Sequence, residues 1–418
     1  NYHAQYVLSW CLLPALIVYF SWAVFEEQII QNLILDSFEY VEGAAYDDGL
    51  LLAEIRNVAN NTDFSEGKSQ EIINAASQYK SLKLTSEISF YISIIIIMVL
   101  GSLYAVRKIN IQFNAQDTIE KYIKYILIFC SSIAVLTTIG IIFSLIFESF
   151  RFFSQVSIFE FLFSTEWYPF IPIREGQAAA EGSFGAVPIF AGTFLIMIVA
   201  MCVAAPIGLL TAIYLSEYAS QKVRKTVKPL LEILAGIPTI VYGFFAFVTV
   251  APFVKSFGQS IGIDASPTSA LAAGLVMGVM IIPFISSLSD DVINSVPQSL
   301  REGSLGIGAN KAETIKKVIL PAALPGIVGA FLLAISRAIG ETMIVVVAAG
   351  TAANLTANPF ENVTTVTVQI VVALIGDQEF DNPRTLSAFA LGLVLFVITL
   401  SLNVLALRIV KKYRERYE

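Results

Sequence analysis

The sequence has few of the residues that most enzymes and disulfide-linked scaffolds depend on. Among its 418 residues there is one histidine, His3, and there are three cysteines. A single histidine removes histidine-based metal sites and most histidine general-base chemistry. Cys11, Cys130 and Cys202 lie inside apolar runs, so they suggest neither a disulfide framework nor a zinc site. We expect no metal and no cofactor.

Charge and nucleotide-binding motifs are also scarce. Charged residues make up 14% of the chain and hydrophobic residues 56%, and the mean hydropathy is +0.73. This composition is typical of an integral protein of the lipid bilayer. The net charge of −7 argues against nucleic acid as a partner. The sequence contains no phosphate-binding motif G-x-x-x-x-G-K-[S/T], so we expect a chain that is not itself an ATPase.

Long apolar runs alternate with loops along the chain, which predicts an all-α polytopic membrane protein. Basic residues cluster at 107–124, 222–228, 301–317 and 408–416. The positive-inside rule then places these loops and both chain ends in the cytoplasm. A further run, 366–375, is too short to span and predicts a re-entrant or interfacial segment. The eight predicted spans are residues 6–25, 88–106, 125–147, 187–214, 229–254, 268–288, 326–349 and 386–407.

The first two spans enclose an acidic insert. Residues 26–87 carry twelve Asp and Glu against four Lys and Arg, and patterns at 48–60 and 69–84 predict helices within it. The topology puts this insert on the extracytoplasmic side. We therefore divide the chain into an N-terminal two-helix membrane module, residues 1–108, and a six-span core, residues 109–418.

The polar stretch 296–325 predicts two short helices joined at a glycine. Pro297 suits the first turn of a helix because its missing N–H would have no partner there. Gly308 allows positive φ at the junction, and Asn310, with a glutamate three residues later, has the spacing of a capping box. We expect Pro321 to end the second helix. Such an amphipathic hairpin either lies on the membrane surface or is held by a partner protein.

This stretch resembles the cytoplasmic loop of bacterial ABC importer permeases, which docks into a groove on the ATPase subunit. The family pattern is E-A-A-x3-G-x9-I-x-L-P, and four of its residues are matched here at the same spacing. A Gly-Ser pair replaces the two alanines, and a valine replaces the isoleucine. The resemblance implies an ATPase coupling loop that includes Glu302, Gly308, Ala309, Leu320 and Pro321.

Two charged residues lie inside the seventh predicted span, where each costs on the order of 2.5–3.5 kcal/mol by insertion scales. Arg337 and Glu341 are spaced i and i+4, so on one helix their side chains can pair. One interpretation is an ion pair that only neutralises both charges. The other is a solute path, because an arginine fork matches two oxygens of an oxyanion. A carboxylate beside it would accept a hydrogen bond from protonated phosphate and would repel sulfate.

The fifth predicted span contains a second irregularity. Gly236 and Pro238 break its helix, and a freed carbonyl with Thr239 beside it would line a path or allow bending. The alternative is a packing kink without function. Asp290 and Asp291 fall near the cytoplasmic membrane edge, where we expect solvent to stabilise their charges.

Separated motifs in a consistent order make the family resemblance more specific. The chain is similar to phosphate-specific ABC transporter permeases of the PstC type, which belong to the MetI-like permeases, over about residues 125–413. The N-terminal module lies outside this similarity. The matching motifs are Glu232-Ile-Leu-Ala-Gly-Ile-Pro-Thr-Ile-Val-Tyr-Gly-Phe244, Arg337-Ala-Ile-Gly-Glu-Thr-Met343, Trp167-Tyr-Pro169, Tyr214-Leu-Ser-Glu-Tyr218 and Met280-Ile-Ile-Pro283.

The resemblance implies a transport subunit without catalytic residues, one that imports inorganic phosphate across the cytoplasmic (inner) membrane. The implied partners are a second permease of the PstA type, an ATP-binding subunit dimer and a periplasmic phosphate-binding protein. The implied substrate pathway includes Arg337, Glu341 and Thr342, to which we add Pro238 and Thr239 at the other break. Two alternatives stay open: a permease for another oxyanion such as sulfate or molybdate, and a membrane sensor that uses the N-terminal module.

Overall fold

The protein is described by a computed structural model that covers residues 2–37, 48–60, 69–110, 113–169, 182–375 and 381–414. Within these ranges the regular structure consists of sixteen α-helices, three π-helical turns and one two-stranded antiparallel sheet. The all-α prediction is therefore confirmed. Two parts of the acidic insert, residues 38–47 and 61–68, lie outside the described residues.

Eight helical segments in the described ranges are long and apolar enough to cross a membrane. Their number agrees with the eight spans that the sequence predicts. The segments are Tyr2–Ser37, Gln70–Lys108, Ala115–Phe153, Val187–Tyr218, Thr239–Ser260, Ala270–Ser295, Lys311–Ile339 and Pro383–Arg408.

The chain divides into two compact units, Asn1–Thr137 and Thr138–Glu418. Helix α4 (Ala115–Phe153) runs without interruption through the boundary between them. A domain limit between residues 108 and 109 stays a prediction, because a division into compact units does not test where a functional module ends.

The first unit is built on two long helices, α1 (Tyr2–Ser37) and α3 (Gln70–Lys108). They approach so closely at Gly101 that an added Cβ would lie 2.2 Å from the carbonyl oxygen of Trp10. The predicted helix 69–84 and the predicted span 88–106 form one continuous helix. At 1.5 Å per residue, its 39 residues extend about 58 Å, nearly twice the thickness of a hydrocarbon core.

The part of α3 that precedes the apolar run packs with the end of α1 and with α2 (Asp48–Asn60), the helix predicted at 48–60. Apolar side chains from all three helices form a small core there. This core contains Ile30, Ile34, Leu51, Ile55, Val58, Ile72, Ala75, Ala76 and Tyr79.

The second unit is centred on α6 (Val187–Ile213) and α10 (Ala270–Ser295). These helices meet through glycines: a Cβ on Gly278 would lie 2.9 Å from the carbonyl oxygen of Ala200. Small residues at the contact allow two helical backbones to approach, as is common between membrane helices. Helix α10 carries more buried residues than any other described helix and therefore forms the centre of this unit.

The fifth span begins later than the sequence predicts. Residues 221–235 form a separate amphipathic helix, α7 (Gln221–Ala235), and the span proper starts with α8 (Thr239–Phe245). It continues through a π-helical turn, Ala246–Val250, into α9 (Ala251–Ser260). The predicted limit at residue 229 is wrong because residues 229–235 continue α7, and the helix is interrupted at residues 236–238 before α8 begins.

The seventh span differs from its prediction at both ends. Helix α11 (Gln298–Gly306) ends before the junction at Gly308. The next helix begins as α12 (Lys311–Thr314) and continues without interruption through a π-helical turn, Ile315–Ile319, into α13 (Leu320–Ile339). Pro321 therefore does not end a helix. It lies inside the continuous helical run, directly after the π-helical turn Ile315–Ile319, and such turns accommodate an interruption of the helical hydrogen bonds.

The predicted span 326–349 is divided in two, because α13 ends at Ile339 and α14 (Met343–Ala348) begins after a break. The short run 366–375 forms α15 (Val366–Leu374), whose nine residues are too few to cross a bilayer, as predicted. The remaining elements are α5 (Ile158–Phe163), β1 (Trp167–Tyr168), β2 (Ser183–Phe184) and α16 (Pro383–Arg414).

Candidate functional site

Glu341 lies in the break between α13 and α14, and its side chain caps the N-terminus of α14. Its Oε1 accepts hydrogen bonds from the backbone N–H groups of Thr342 at 3.2 Å, Met343 at 3.1 Å and Ile344 at 3.4 Å. The residue is only 9% exposed. A carboxylate in this position satisfies N–H groups that have no partner within the helix. Glu341 therefore fixes the direction in which the chain re-enters a helix.

Arg337 lies one turn before the break and does not pair with Glu341. Its guanidinium carbon is 5.7 Å from the centre of the Phe284 ring, a distance that fits a cation–π contact. In the described part of the chain no carboxylate lies within ion-pair distance of Arg337. The ion pair that one interpretation of the i, i+4 spacing proposes does not form, because Gly340 ends the helix and the two side chains are not on one helical face.

The side chain of Arg337 is exposed, and it combines a fixed positive charge with free donors. No hydrogen bond joins it to another of the described residues. Its five N–H donors form a rigid fork that matches the oxygens of a tetrahedral anion. The aromatic ring of Phe284 supports the cation from one side without using those donors. This arrangement suits transient binding of an oxyanion.

Helix α8, which follows the second break at residues 236–238, packs against α14. A Cβ added to Gly243 of α8 would lie 2.9 Å from the carbonyl oxygen of Met343 and 3.2 Å from Cα of Ile344. Helices α8 and α14 thus pack backbone against backbone. The structure brings together the two half-helices that follow the breaks, although no hydrogen bond between described residues joins Thr239 to Glu341 or Thr342.

The carbonyl that Pro238 frees already has a partner. Proline provides no N–H for the carbonyl oxygen of Leu234, four residues earlier. The hydroxyl of Tyr242 donates to that oxygen at 2.7 Å. The freed carbonyl therefore accepts a hydrogen bond from Tyr242, and a role of this break in a path or in bending stays a prediction. Pro238 is exposed at the start of α8, and Thr239 is half-buried.

Helix α15 supports the break at Glu341 from another side. The hydroxyl of Thr367 donates to the carbonyl oxygen of Glu341 at 2.9 Å. Further along α15, the side chain of Gln369 is held between the carbonyl of Thr351 at 2.8 Å and the indole of Trp167 at 3.0 Å. The hydroxyl of Thr342 is 3.5 Å from the carbonyl oxygen of Gly340. Side-chain hydrogen bonds therefore hold the break in one geometry.

The predicted coupling loop forms the helical hairpin that the sequence indicates. Asn310 caps α12 by accepting from the N–H of Glu313 at 2.9 Å, and the Glu313 carboxylate accepts from the N–H of Asn310 at 3.0 Å. The capping box is thus confirmed. Gly308 has a φ of +92°, the positive value predicted for the junction. Hydroxyls of Ser304 and Thr314, 2.9 Å apart, join the two helices.

The tip of this hairpin is apolar and uncovered. Ile307, between the two helices, is 88% exposed, and Leu305 is half exposed. Glu302 is also exposed, on α11. At the other end of the hairpin, Leu320 and Pro321 are partly buried beside a cluster that includes Ile315, Ile319 and Ala323. Ala309 donates its N–H to the carbonyl of Ser304 at 3.2 Å and so belongs to the turn.

A buried carboxylate near the hairpin was not identified by sequence reasoning. Asp290, 1% exposed, accepts hydrogen bonds from Arg224 at 2.9 and 3.1 Å and from Lys228 at 3.1 Å. Asn294 donates to it at 2.8 Å. The expectation that solvent stabilises Asp290 is therefore wrong, whereas Asp291 is exposed as expected. The i, i+4 spacing of Arg224 and Lys228 was the signal that an acidic partner faces α7.

The hairpin itself is anchored by Arg301 of α11. Its guanidinium donates to the carbonyl oxygens of Ile293, at 2.8 Å, and Val296, at 2.5 Å, which lie at the end of α10. It also forms a nearly buried ion pair with Glu217 at 3.1 Å. Arg301 thus attaches the first hairpin helix to the end of α10 and to the turn after α6.

Two family descriptions match the chain, one for each part. Residues 204–415 match the family of the binding-protein-dependent transport system inner membrane component. Residues 1–137 match a family described as phosphate ATP-binding cassette transporter. The second match ends at the boundary of the first compact unit, Thr137.

The chain is also similar to curated bacterial proteins. The probable ABC transporter permease protein YqgH of Bacillus subtilis is 35% identical over 58% of this chain and 75% of its own length. The phosphate transport system permease protein PstC of Pasteurella multocida is 34% identical over 64% of this chain and 86% of its own. PstC of Mesorhizobium japonicum is 33% identical over 58% and 75%.

Proposed function

Since this chain belongs to the binding-protein-dependent transport system inner membrane components, we propose that it is the permease subunit through which an ATP-driven importer moves inorganic phosphate into the cell. The resemblance to PstC-type permeases that the motifs indicate is confirmed by the family matches and the relatives. The chain is a multi-pass protein of the inner membrane, and ATP is hydrolysed by other subunits of the importer.

The observation that carries the proposal is the exposed arginine at a helix break. Arg337 presents a permanent cation inside a membrane-spanning segment, without a carboxylate partner among the described residues. Keeping such a charge in the membrane is costly. A negatively charged solute that passes this point supplies the missing partner. Arg337 therefore receives the phosphate anion with its bidentate fork.

In this proposal the two carboxylate oxygens of Glu341 have different roles. Oε1 is engaged by three backbone N–H groups. Oε2 has no hydrogen-bond partner in the described ranges, and it accepts a hydrogen bond from the hydroxyl group that hydrogen phosphate carries and sulfate lacks. The hydrogen bonds to Oε1 also fix the position of Oε2, so the selection of phosphate over sulfate depends on the backbone geometry at the start of α14. Thr342, Pro238 and Thr239 complete the proposed pathway at the two breaks.

A pair of substitutions at Glu341 tests this division of roles. Glu341→Gln keeps an oxygen for the cap but replaces the acceptor with an N–H donor, so we expect phosphate uptake to fall and competition by sulfate to rise. Glu341→Ala removes the cap as well, at a cost of about 0.5–2 kcal/mol, so uptake should fall further. Uptake of labelled phosphate with and without excess sulfate measures both effects. Unchanged selectivity in Glu341→Gln would exclude the carboxylate from substrate choice.

The proposed assembly contains three kinds of partner. The coupling hairpin, with Ile307 at its tip and Glu302, Gly308, Ala309, Leu320 and Pro321 along its length, docks an ATP-binding subunit dimer. A second permease of the PstA type completes the path, and an extracytoplasmic binding protein delivers phosphate. The apolar tip supports the first of these contacts, because covering the exposed side chains of Ile307 and Leu305 with a partner surface is favourable.

We place both chain ends and the coupling hairpin on the cytoplasmic side, and α2 on the other side. A cysteine at Asn57, exposed on α2, should react with a membrane-impermeant maleimide in intact cells. A cysteine at Gly303, where an added Cβ meets nothing within 4 Å, should react only after permeabilisation. The three native cysteines are first replaced by serine or alanine. The reverse labelling pattern would overturn this orientation and the coupling role of the hairpin.

A further inference from the structure

Helix α7 is held to the rest of the second unit by ion pairs as well as by the packing of Leu234 against the apolar core. None of its fifteen residues is buried. Beside its contact with α10 lies a cavity of about 220 Å³, bordered by Leu231 and Ala235 on α7 and by Phe284 and Ser286 on α10. Apolar packing is therefore incomplete there. The ion pairs of Arg224 and Lys228 with Asp290 are the close contacts that fix α7 against α10.

Asp290 is saturated by these contacts. Four hydrogen bonds from three side chains reach its two oxygens, and Arg224 also donates to Asn294 at 3.2 Å. The pKa of Lys228 is raised above its ordinary value, mainly by its hydrogen bond to Asp291 and next by that to Asp290, with burial acting in the opposite direction. Lys228 consequently keeps its positive charge throughout the physiological pH range.

The charged cluster of Asp290, Arg224 and Lys228 lies between the coupling hairpin and the proposed phosphate path. On one side, Arg301 ties the first hairpin helix to the carbonyls of Ile293 and Val296, three and six residues beyond Asp290. On the other side, α7 leads through residues 236–238 into α8. Helix α8 contacts the start of α14 through Gly243, directly after the Glu341 cap.

We propose that Asp290 is a positioning residue that transmits movement of the coupling hairpin, through α10 and α7, to the helix breaks beside Arg337. The inference rests on the proposed transport function and adds to it the element that links ATP hydrolysis to the path. With the ion pairs intact, α7 and the end of α10 move as one body. Without them, α7 is free to stay behind when the hairpin moves.

Asp290→Asn in the assembled importer tests this role, and Asp291→Asn is the matched control. Asp291 has the same chemistry one residue away, but its side chain is 63% exposed, and among the described residues it forms an ion pair with Lys228 only. We expect Asp290→Asn to lower phosphate transported per ATP hydrolysed at least tenfold, whereas Asp291→Asn stays within twofold of the parent. A parallel loss of hydrolysis and transport in Asp290→Asn, at an unchanged ratio, would overturn the proposal.

A triple variant without charges at these positions separates loss of the ion pairs from misfolding caused by unpaired charges. Asp290→Asn leaves Arg224 and Lys228 facing a partly buried site without their partner, which can prevent assembly. Combining it with Arg224→Gln and Lys228→Gln removes every unpaired charge, so this variant should assemble and still transport little phosphate per ATP. Coupling at the parental ratio in the assembled triple variant would refute a role for the ion pairs.

A distance measurement separates failure of this inference from failure of the proposed function. Spin labels at Lys225, exposed on α7, and at Gly303 of α11 report whether the two helices move together, whatever solute is carried. We expect one narrow distance distribution in the parent with and without ATP, and a broad one in Asp290→Asn. A narrow distribution in Asp290→Asn would show that the ion pairs of Asp290 are not needed to hold α7 to the end of α10, and would overturn the proposal. A parent complex that moves no phosphate contradicts the function instead.

Discussion

Replacing Arg337 with glutamine is expected to lower ATP-driven phosphate uptake by about 100-fold or more, while the protein still inserts and assembles. A hydrogen bond to a charged group contributes about 1.5–3 kcal/mol, and about 1.4 kcal/mol corresponds to a factor of ten. Glutamine offers neither the charge nor the fork of two parallel donors. Initial rates of labelled phosphate uptake in cells that depend on this permease measure the loss.

Three companion variants separate an anion-binding role from charge neutralisation. Arg337→Lys keeps the charge without the bidentate geometry and should leave a severe but incomplete defect. Glu341→Gln alone should reduce uptake less than Arg337→Gln does. The double variant Arg337→Gln with Glu341→Gln leaves no charge at either position, so near-normal uptake in this variant would refute the role of Arg337 in phosphate passage.

Replacing Gly308 with proline is expected to abolish coupling between ATP hydrolysis and transport. Proline fixes φ near −65°, whereas Gly308 has a φ of +92° and donates its N–H to the carbonyl of Leu305 at 3.0 Å. Holding an ordinary L-residue in the left-handed region costs about 1–2 kcal/mol, so even Gly308→Ala should reduce uptake about tenfold. Uptake and ATP hydrolysis are measured on the same preparation of the complex.

Gly303→Ala supplies the control for the hinge. An added Cβ meets nothing within 4 Å at either glycine, and only Gly308 has a positive φ. The Gly303 variant should therefore transport normally, since alanine favours the helix that contains this position. Normal uptake in Gly308→Pro with the ATPase still attached would show that the conformation of the junction is irrelevant to coupling.

Local patterns in the sequence were sufficient to predict most of the helices and the coupling hairpin. The capping box at Asn310 and Glu313 and the positive φ of Gly308 depend on residues within a few positions of one another. The number of spans follows from apolar runs, each of which is a property of one segment. Such features are read from the sequence because no distant part of the chain decides them.

The features that the sequence did not reveal depend on where helices end and which helices meet. Arg337 and Glu341 have the spacing of an ion pair, but Gly340 interrupts the helix and the backbone N–H groups of α14 take the carboxylate. Asp290 resembles a solvated residue at a helix end until α7 brings Arg224 and Lys228 against it. The spacing of two basic residues within one helix indicates an acidic partner but does not identify which helix supplies it.

The limits of α7 show the same difficulty at a boundary. Residues 229–235 are as apolar as the span they precede, so the sequence alone joins them to it. Pro238 breaks the helix, and Tyr242 satisfies the carbonyl of Leu234 that the break exposes. The hydroxyl that stabilises the break comes from the following helix, and its partner could be identified only once the direction of α8 was known.

The most direct test of the account is uptake of labelled phosphate by proteoliposomes that contain this permease, its partner permease and the ATPase, with the binding protein added outside. We expect ATP-dependent accumulation that excess unlabelled phosphate suppresses and excess sulfate does not, and that Arg337→Gln abolishes. Accumulation of sulfate at an equal rate, or phosphate uptake that persists in Arg337→Gln, would contradict a phosphate path through this subunit at Arg337.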